Sequence, residues 1–145
     1  MEKVLIYGAA GDRLLVFDEP DFPFVPMQVP GGTLEPGEDA LTGAQREFYE
    51  ETGLSGAAVW QSHGSYLSVR WDRDGQKHRY RRHVFSVTLA GTPQHEWIHF
   101  ENHAFDGGPP IRFRLFFLPW KEARAQIGLA MDAPLFWPSL QSVFA

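Results

Sequence analysis

The sequence predicts a mixed α/β sandwich, and three observations predict it. Short apolar, β-prone runs lie on both sides of a single strong helix signal at residues 38–52. Those runs are separated by Gly- and Pro-rich breakers, 14 Gly and 11 Pro in all. A helix with one apolar stripe, flanked in sequence by strands, must bury that stripe against a sheet. The 145 residues suit one domain, taken here as residues 1–145.

The opening reads as a hairpin. Residues 4–7 are apolar, residues 8–12 punctuate, and residues 14–17 resume the apolar run. Residues 18–32 hold Pro20, Pro23, Pro26 and Pro30, then Gly31 and Gly32, and read as a loop with a short extended piece at Gln28 and Val29. The helix begins with acid at Glu38 and Asp39 and ends at Gly53, where a left-handed residue is wanted. Leu41, Ala44 and Phe48 form its expected core stripe.

Residues 65–89 read as a second hairpin, turned at Asp72-Arg73-Asp74-Gly75. Its second arm, residues 83–89, alternates with period two, so one face is expected to be buried. Residues 90–110 are mixed, and residues 111–118 form another apolar, aromatic strand. Residues 119–130 suit a helix with Pro119 in its first turn. Residues 134–145 suit a short apolar helix or an irregular segment packed on the body.

Thirteen Lys and Arg against 18 Asp and Glu give a net charge of −5. Such a chain is poorly suited to duplex nucleic acid, whose binding rests on phosphate neutralisation. There is no cysteine, which removes disulfides, thiolate metal sites and thiol nucleophiles. No run approaches the roughly 20 apolar residues of a membrane span, and the N-terminus carries no secretory pattern. The expectation is a soluble, cytoplasmic protein.

Glu47, Glu50 and Glu51 stand at i, i+3 and i+4, so all three leave one helical face beside the apolar stripe. Like charges at this spacing repel, and partial burial sharpens the repulsion. A solvated acidic face is the plain alternative. The arrangement makes better sense with a divalent cation on the face, and oxygen donors favour Mg²⁺ or Mn²⁺. Arg46 can orient a carboxylate, and Pro30-Gly31-Gly32 lets backbone approach a ligand closely.

Gly32, Glu38, Arg46, Glu47, Glu50, Glu51, Gly53 and Leu54 match the Nudix box, Gly-x5-Glu-x7-Arg-Glu-U-x-Glu-Glu-x-Gly-U, with U a bulky aliphatic. Phe48 stands where an aliphatic residue is usual. The chain thus resembles the Nudix hydrolases. The resemblance implies an α/β/α sandwich with a mixed, curved sheet. It implies Mg²⁺- or Mn²⁺-dependent cleavage of the diphosphate linkage of a nucleoside diphosphate derivative by water. Glu47, Glu50 and Glu51 would then ligate the metal, with the Gly31 carbonyl a further ligand. Glu38 would be an outer partner, and Arg46 would orient Glu47. The general base would be a glutamate of the box, such as Glu50, or one from a downstream loop, Glu96 or Glu101. A damaged nucleoside triphosphate, a nucleotide sugar, a dinucleoside polyphosphate and a dinucleotide all remain possible substrates. A non-catalytic nucleotide-binding module on the same fold is the alternative. An isoprenoid diphosphate isomerase is disfavoured, because the members considered use a cysteine.

Three weaker signals remain. His95-Glu96-Trp97-Ile98-His99 has the zincin pattern, but β-prone Trp97, Ile98 and Phe100 argue for extended chain or loop against the helix it needs, and a loop glutamate between surface histidines is the better reading. Residues 70–82 hold six of the 13 basic side chains. They suit either an edge kept soluble by charge or a contact to phosphate, and alternation lets only one subset point into a site. Trp60, Tyr66, Trp71 and Trp97 are candidates to stack on a base, though each suits a core or surface place better.

Overall fold

The computed structural model describes residues 1–55, 58–91, 94–101, 108–127 and 134–144. Its strands are β1 (Glu2–Ala10), β2 (Arg13–Asp18), β3 (Gly31–Thr33), β4 (Ala58–Trp71), β5 (Lys77–Leu89), β6 (Glu96–Glu101) and β7 (Ile111–Pro119). The helices are α1 (Ala40–Thr52), α2 (Trp120–Gln126) and the short α3 (Trp137–Leu140). The strands form one sheet in the order β4-β5-β1-β2-β7-β6, with β3 paired to β1. β1 and β5 are parallel, and the other pairs are antiparallel, so the sheet is mixed.

The first hairpin forms, but its two strands stay paired only at Ala9–Leu14 and Ala10–Arg13. Beyond that they splay, and residues 28–33 enter the gap. Ile6 donates its N–H to Pro30 O at 2.8 Å, Phe17 bridges Gln28, and β3 pairs with Lys3, Val4 and Leu5. The expected loop at Gly31 and Gly32 is therefore a strand. The splayed β1 leaves unpaired backbone groups that must find partners when buried, and side-chain-free backbone can approach to supply them. A Cβ on Gly31 would sit 2.5 Å from Val4 O.

The sheet is covered on both faces. One core gathers Val4, Ile6, Leu15 and Phe85 under Ala44 and Phe48 of α1. The other gathers Leu5, Tyr7, Leu14 and Val84 under Ala123, Trp137 and Leu140. This explains why β1 and β2 read as continuous apolar runs: each is buried on both sides. The same holds for residues 84–87 of β5, where alternation alone predicted a single buried face. Full burial of each such side chain is worth about 1.5–3 kcal/mol.

α1 is bounded as its sequence indicates. Asp39 caps it by accepting from Thr42 N–H, and Gly53 closes it at φ 72°. Leu41 is a correction: it is 39 % exposed in the first turn. The buried arc is completed instead by Glu47 and Glu51, which lie beside Ala44 and Phe48 on the wheel. α2 ends at Gln126, with Pro119 as its N-terminal boundary residue, and residues 128–130 of the expected helix lie outside the described residues. Among the described residues no helix is long and apolar enough to cross a membrane.

Candidate active site

The site is built where the gap between β1 and β2 meets α1. Gly31 and Gly32 bring bare backbone against the helix, and a Cβ on Gly32 would overlap the Glu47 carboxylate. Gly31 donates its N–H to Glu51 Oε1 at 3.0 Å. Glu47 and Glu51, four residues apart, consequently turn inward and are only 9 % and 5 % exposed. They line a cavity of about 430 Å³ together with Gly31, Gly32, Lys3 and Glu101.

Arg46 is the hub beside this cavity. Its Nε and Nη2 donate to both oxygens of Glu38 at 2.9 Å, a two-pronged pair. Its Nη1 donates to Glu47 Oε1 at 3.0 Å and to Glu50 Oε2 at 3.3 Å, and its Nη2 reaches Thr33 O at 3.3 Å. One guanidinium thus ties the loop before α1, the end of β3 and two turns of the helix. Glu38 also accepts from Glu35 N–H, and does not line the cavity. Glu50 is half-buried at the side of Arg46 rather than turned inward. Of the three acids on one face, the fold separates Glu47 and Glu51 from Glu50.

The electrostatics follow the geometry. Burial pushes Glu47 up to about 7, against the pull of Arg46, and the charges of Glu50 and Glu101 add to the rise. Burial likewise holds Glu51 well above the ordinary carboxylate range, opposed by the Gly31 N–H and reinforced by Glu101, Glu47 and Glu50. Glu38 goes the other way, to about 2, because Arg46 and the Glu35 N–H bond its ionised form. Arg46 is raised by Glu38. Glu47 and Glu51, both on the cavity wall, are thus the two acids that burial raises.

The donor set fits a hard divalent cation. Its side chains offer carboxylate oxygens, which accept only, and they resist ionising together unless positive charge is supplied. Among the described residues no three Asp, Glu or His side chains already stand around one ion position. Glu47 and Glu51 are the pair that would hold the ion, with Gly31 beside them.

β6 separates the two downstream acids. Both lie on a strand, the extended chain that Trp97, Ile98 and Phe100 allow, and not on a loop. Glu101, at one end, lines the cavity. Glu96, at the other, accepts from Arg114 at 3.3 Å, and Arg114 also pairs with Asp18. The zincin pattern runs from His95, just before this strand, to His99 within it, so its helix is absent. His99 Nε2 instead donates to Glu50 O at 2.9 Å, and Trp97 Nε1 donates to Thr52 O at 2.9 Å. These two residues anchor the end of α1. Trp60 packs edge-on against Phe48 in the core, and Tyr66 packs against Phe136. Trp71 is exposed on the hairpin. Sequence reasoning missed Lys3, Glu19 and Gln28, which also line the cavity. No local pattern marks them, because strand pairing alone brings them there.

The sequence matches the family model described as NUDIX domain over residues 3–128. A search of curated proteins finds no match. Among solved structures, the chain is similar to the MutT protein from Bacillus halodurans, with a TM-score of 0.63 and 20 % identity over 99 % of this chain and 82 % of that one. A Nudix hydrolase from Listeria monocytogenes gives a TM-score of 0.63 and 14 % identity, covering 98 % of this chain and 92 % of the other. One from Nitrosomonas europaea gives 0.55 and 23 %, covering 97 % and 85 %. At such identities the likeness to solved structures speaks for the fold, and the family match covers most of the chain. The chain therefore belongs to the NUDIX domain family.

Proposed function

We propose that this NUDIX-domain protein is a Mg²⁺- or Mn²⁺-dependent hydrolase that cleaves the diphosphate linkage of a small nucleoside diphosphate derivative. The observation that carries this reading is the burial of Glu47 and Glu51 in one cavity, faced by Glu101 and by the bare backbone of Gly31 and Gly32. A bound divalent cation supplies neutralisation of the phosphate oxygens and a more acidic water. Glu47, Glu51 and the Gly31 carbonyl would hold it, with Glu50 joining from the rim. Arg46 fixes Glu47 and Glu50, and Glu38 positions Arg46. Water adds to one phosphorus, the bridging P–O bond breaks, and the bridging oxygen leaves on the second phosphate. Glu101 is the proton acceptor preferred here over Glu96, because it faces the cavity and Glu96 is held by Arg114. The absence of cysteine fits a cytoplasmic setting.

The test is a phosphate-release panel of nucleoside triphosphates, nucleotide sugars and dinucleotides, with Mg²⁺ or Mn²⁺ and with Glu51→Gln as control. Product that disappears in the control supports the reading. Product that survives Glu51→Gln overturns the metal assignment. Ligand-induced thermal shifts with no product replace the enzyme by a nucleotide-binding module.

A further inference from the structure

The basic stretch at 70–82 is sorted by the strands into two opposite faces. Arg79 and Arg81 lie opposite Val69 and Leu67, on the face shared with Glu2 and His83. Arg82 and Arg70 lie on the other face. Arg82 is the direct neighbour of Lys3 across the parallel β1–β5 pairing, and Arg70 stands across from His78. Between them on that face is Tyr80, whose ring lies under Lys3 Nζ at 4.9 Å from its centroid.

Lys3 joins this row to the acidic cavity, because it forms part of the cavity wall. Arg82 is only 4 % exposed, next in line, and Arg70 is exposed at the outer end. Burial first, then the charges of Arg82 and Arg70, hold Lys3 below its ordinary pKa, with Glu47 opposing. Gathering like charges beside a cavity costs stability that an anionic ligand returns.

We propose that Lys3, Arg82 and Arg70, with Tyr80 between them, form an anion subsite that takes a phosphate beyond the scissile diphosphate, so that the substrate carries three or more consecutive phosphates. This rests on the hydrolase reading above. A nucleotide sugar places an uncharged group where these cations stand and gains nothing from them. A nucleoside triphosphate or a dinucleoside polyphosphate extends its negative charge along the row. The face chosen by the register decides which arginines take part: Arg70 and Arg82 do, Arg79 and Arg81 do not.

The experiment measures binding of inorganic tripolyphosphate and of pyrophosphate by calorimetry, with Mg²⁺ present, for the unaltered protein, Lys3→Gln, Arg70→Gln and Arg79→Gln. The unaltered protein is expected to favour tripolyphosphate by about tenfold, the worth of one charge-assisted contact. That preference should shrink toward parity in Lys3→Gln and Arg70→Gln and persist in Arg79→Gln. Arg70 is exposed, so its substitution leaves the fold intact even if Lys3→Gln does not. In turnover, Arg70→Gln should raise KM for a nucleoside triphosphate about tenfold with kcat unchanged, and leave a nucleotide sugar unaffected. The proposal is overturned by no preference in the unaltered protein, or by equal losses in Arg70→Gln and Arg79→Gln. Failure of the hydrolase reading shows differently, as no product from any nucleotide derivative while the tripolyphosphate preference stays as it was.

Discussion

Gly31 donates its peptide N–H to Glu51 Oε1 at 3.0 Å, so the first residue of β3 and the last turn of α1 are held against each other. That bond makes the site a junction of backbone and side chain, in which neither half is placed without the other. Gly31→Ala would press a Cβ against Val4 O at 2.5 Å, and rigid backbone must shift to admit it. A loss of about 2–3 kcal/mol in urea denaturation is expected, with loss of activity. Gly32→Ala meets the Glu47 carboxylate instead, a side chain that can move. Its stability should fall less than that of Gly31→Ala, while its activity falls as far.

Glu47 makes the metal-free protein sensitive to pH. Its ordinary value is 4.5 and its folded value about 7, so the folded state holds a proton that the unfolded state releases. The stability this gives is complete below pH 4.5 and is lost as pH rises through 7. The loss amounts to about 1–3 kcal/mol. Thermal melts in a chelator should therefore show the midpoint falling between pH 5 and 7.5, with Glu47→Gln flattening the fall. Added Mg²⁺ should raise the midpoint more at pH 7.5 than at pH 5.

Arg46→Lys keeps the charge and removes the fork. An ammonium cannot bond both oxygens of Glu38 while reaching Glu47 and Glu50, as the guanidinium does. Stability is expected to fall by about 1–2 kcal/mol, and Mg²⁺ affinity by about 10–100-fold, because the carboxylates lose their shared support. Chemical denaturation and metal titration check the two effects separately.

His63 sits at the bulge between Ser62 and Gly64 of β4, with Nδ1 2.6 Å from Ser139 Oγ and Nε2 2.8 Å from Ser86 Oγ. It joins the sheet to α3. Burial lowers its pKa from 6.5, so the fold favours the neutral ring. The unfolded chain binds the proton more readily, and this contribution to stability is complete above pH 6.5 and is lost as pH falls toward the folded value. The sign is opposite to that of Glu47. His63→Gln should remove the acid-side loss, seen as a smaller stability difference between pH 5.5 and 7 than in the unaltered protein.

The sequence by itself determined what depends on near neighbours. Asp39 and Gly53 bound α1, Gly75 turns the second hairpin, and the spacing of Glu47, Glu50 and Glu51 carries the family resemblance. These are matters of dihedral preference and helical period, which a few residues settle. Only the tertiary structure decided the rest. Splayed backbone in β1 drew Gly31–Thr33 into the sheet. Burial chose Glu47 and Glu51 over Glu50 for the cavity, and the second layer on the sheet buried both faces of β5. Strand register brought Glu101 to the site, left Glu96 with Arg114, and set Lys3 beside Arg82. Each of these joins residues far apart in the chain, and the energy that fixes them is hydrogen bonding and burial between elements, which no local pattern records.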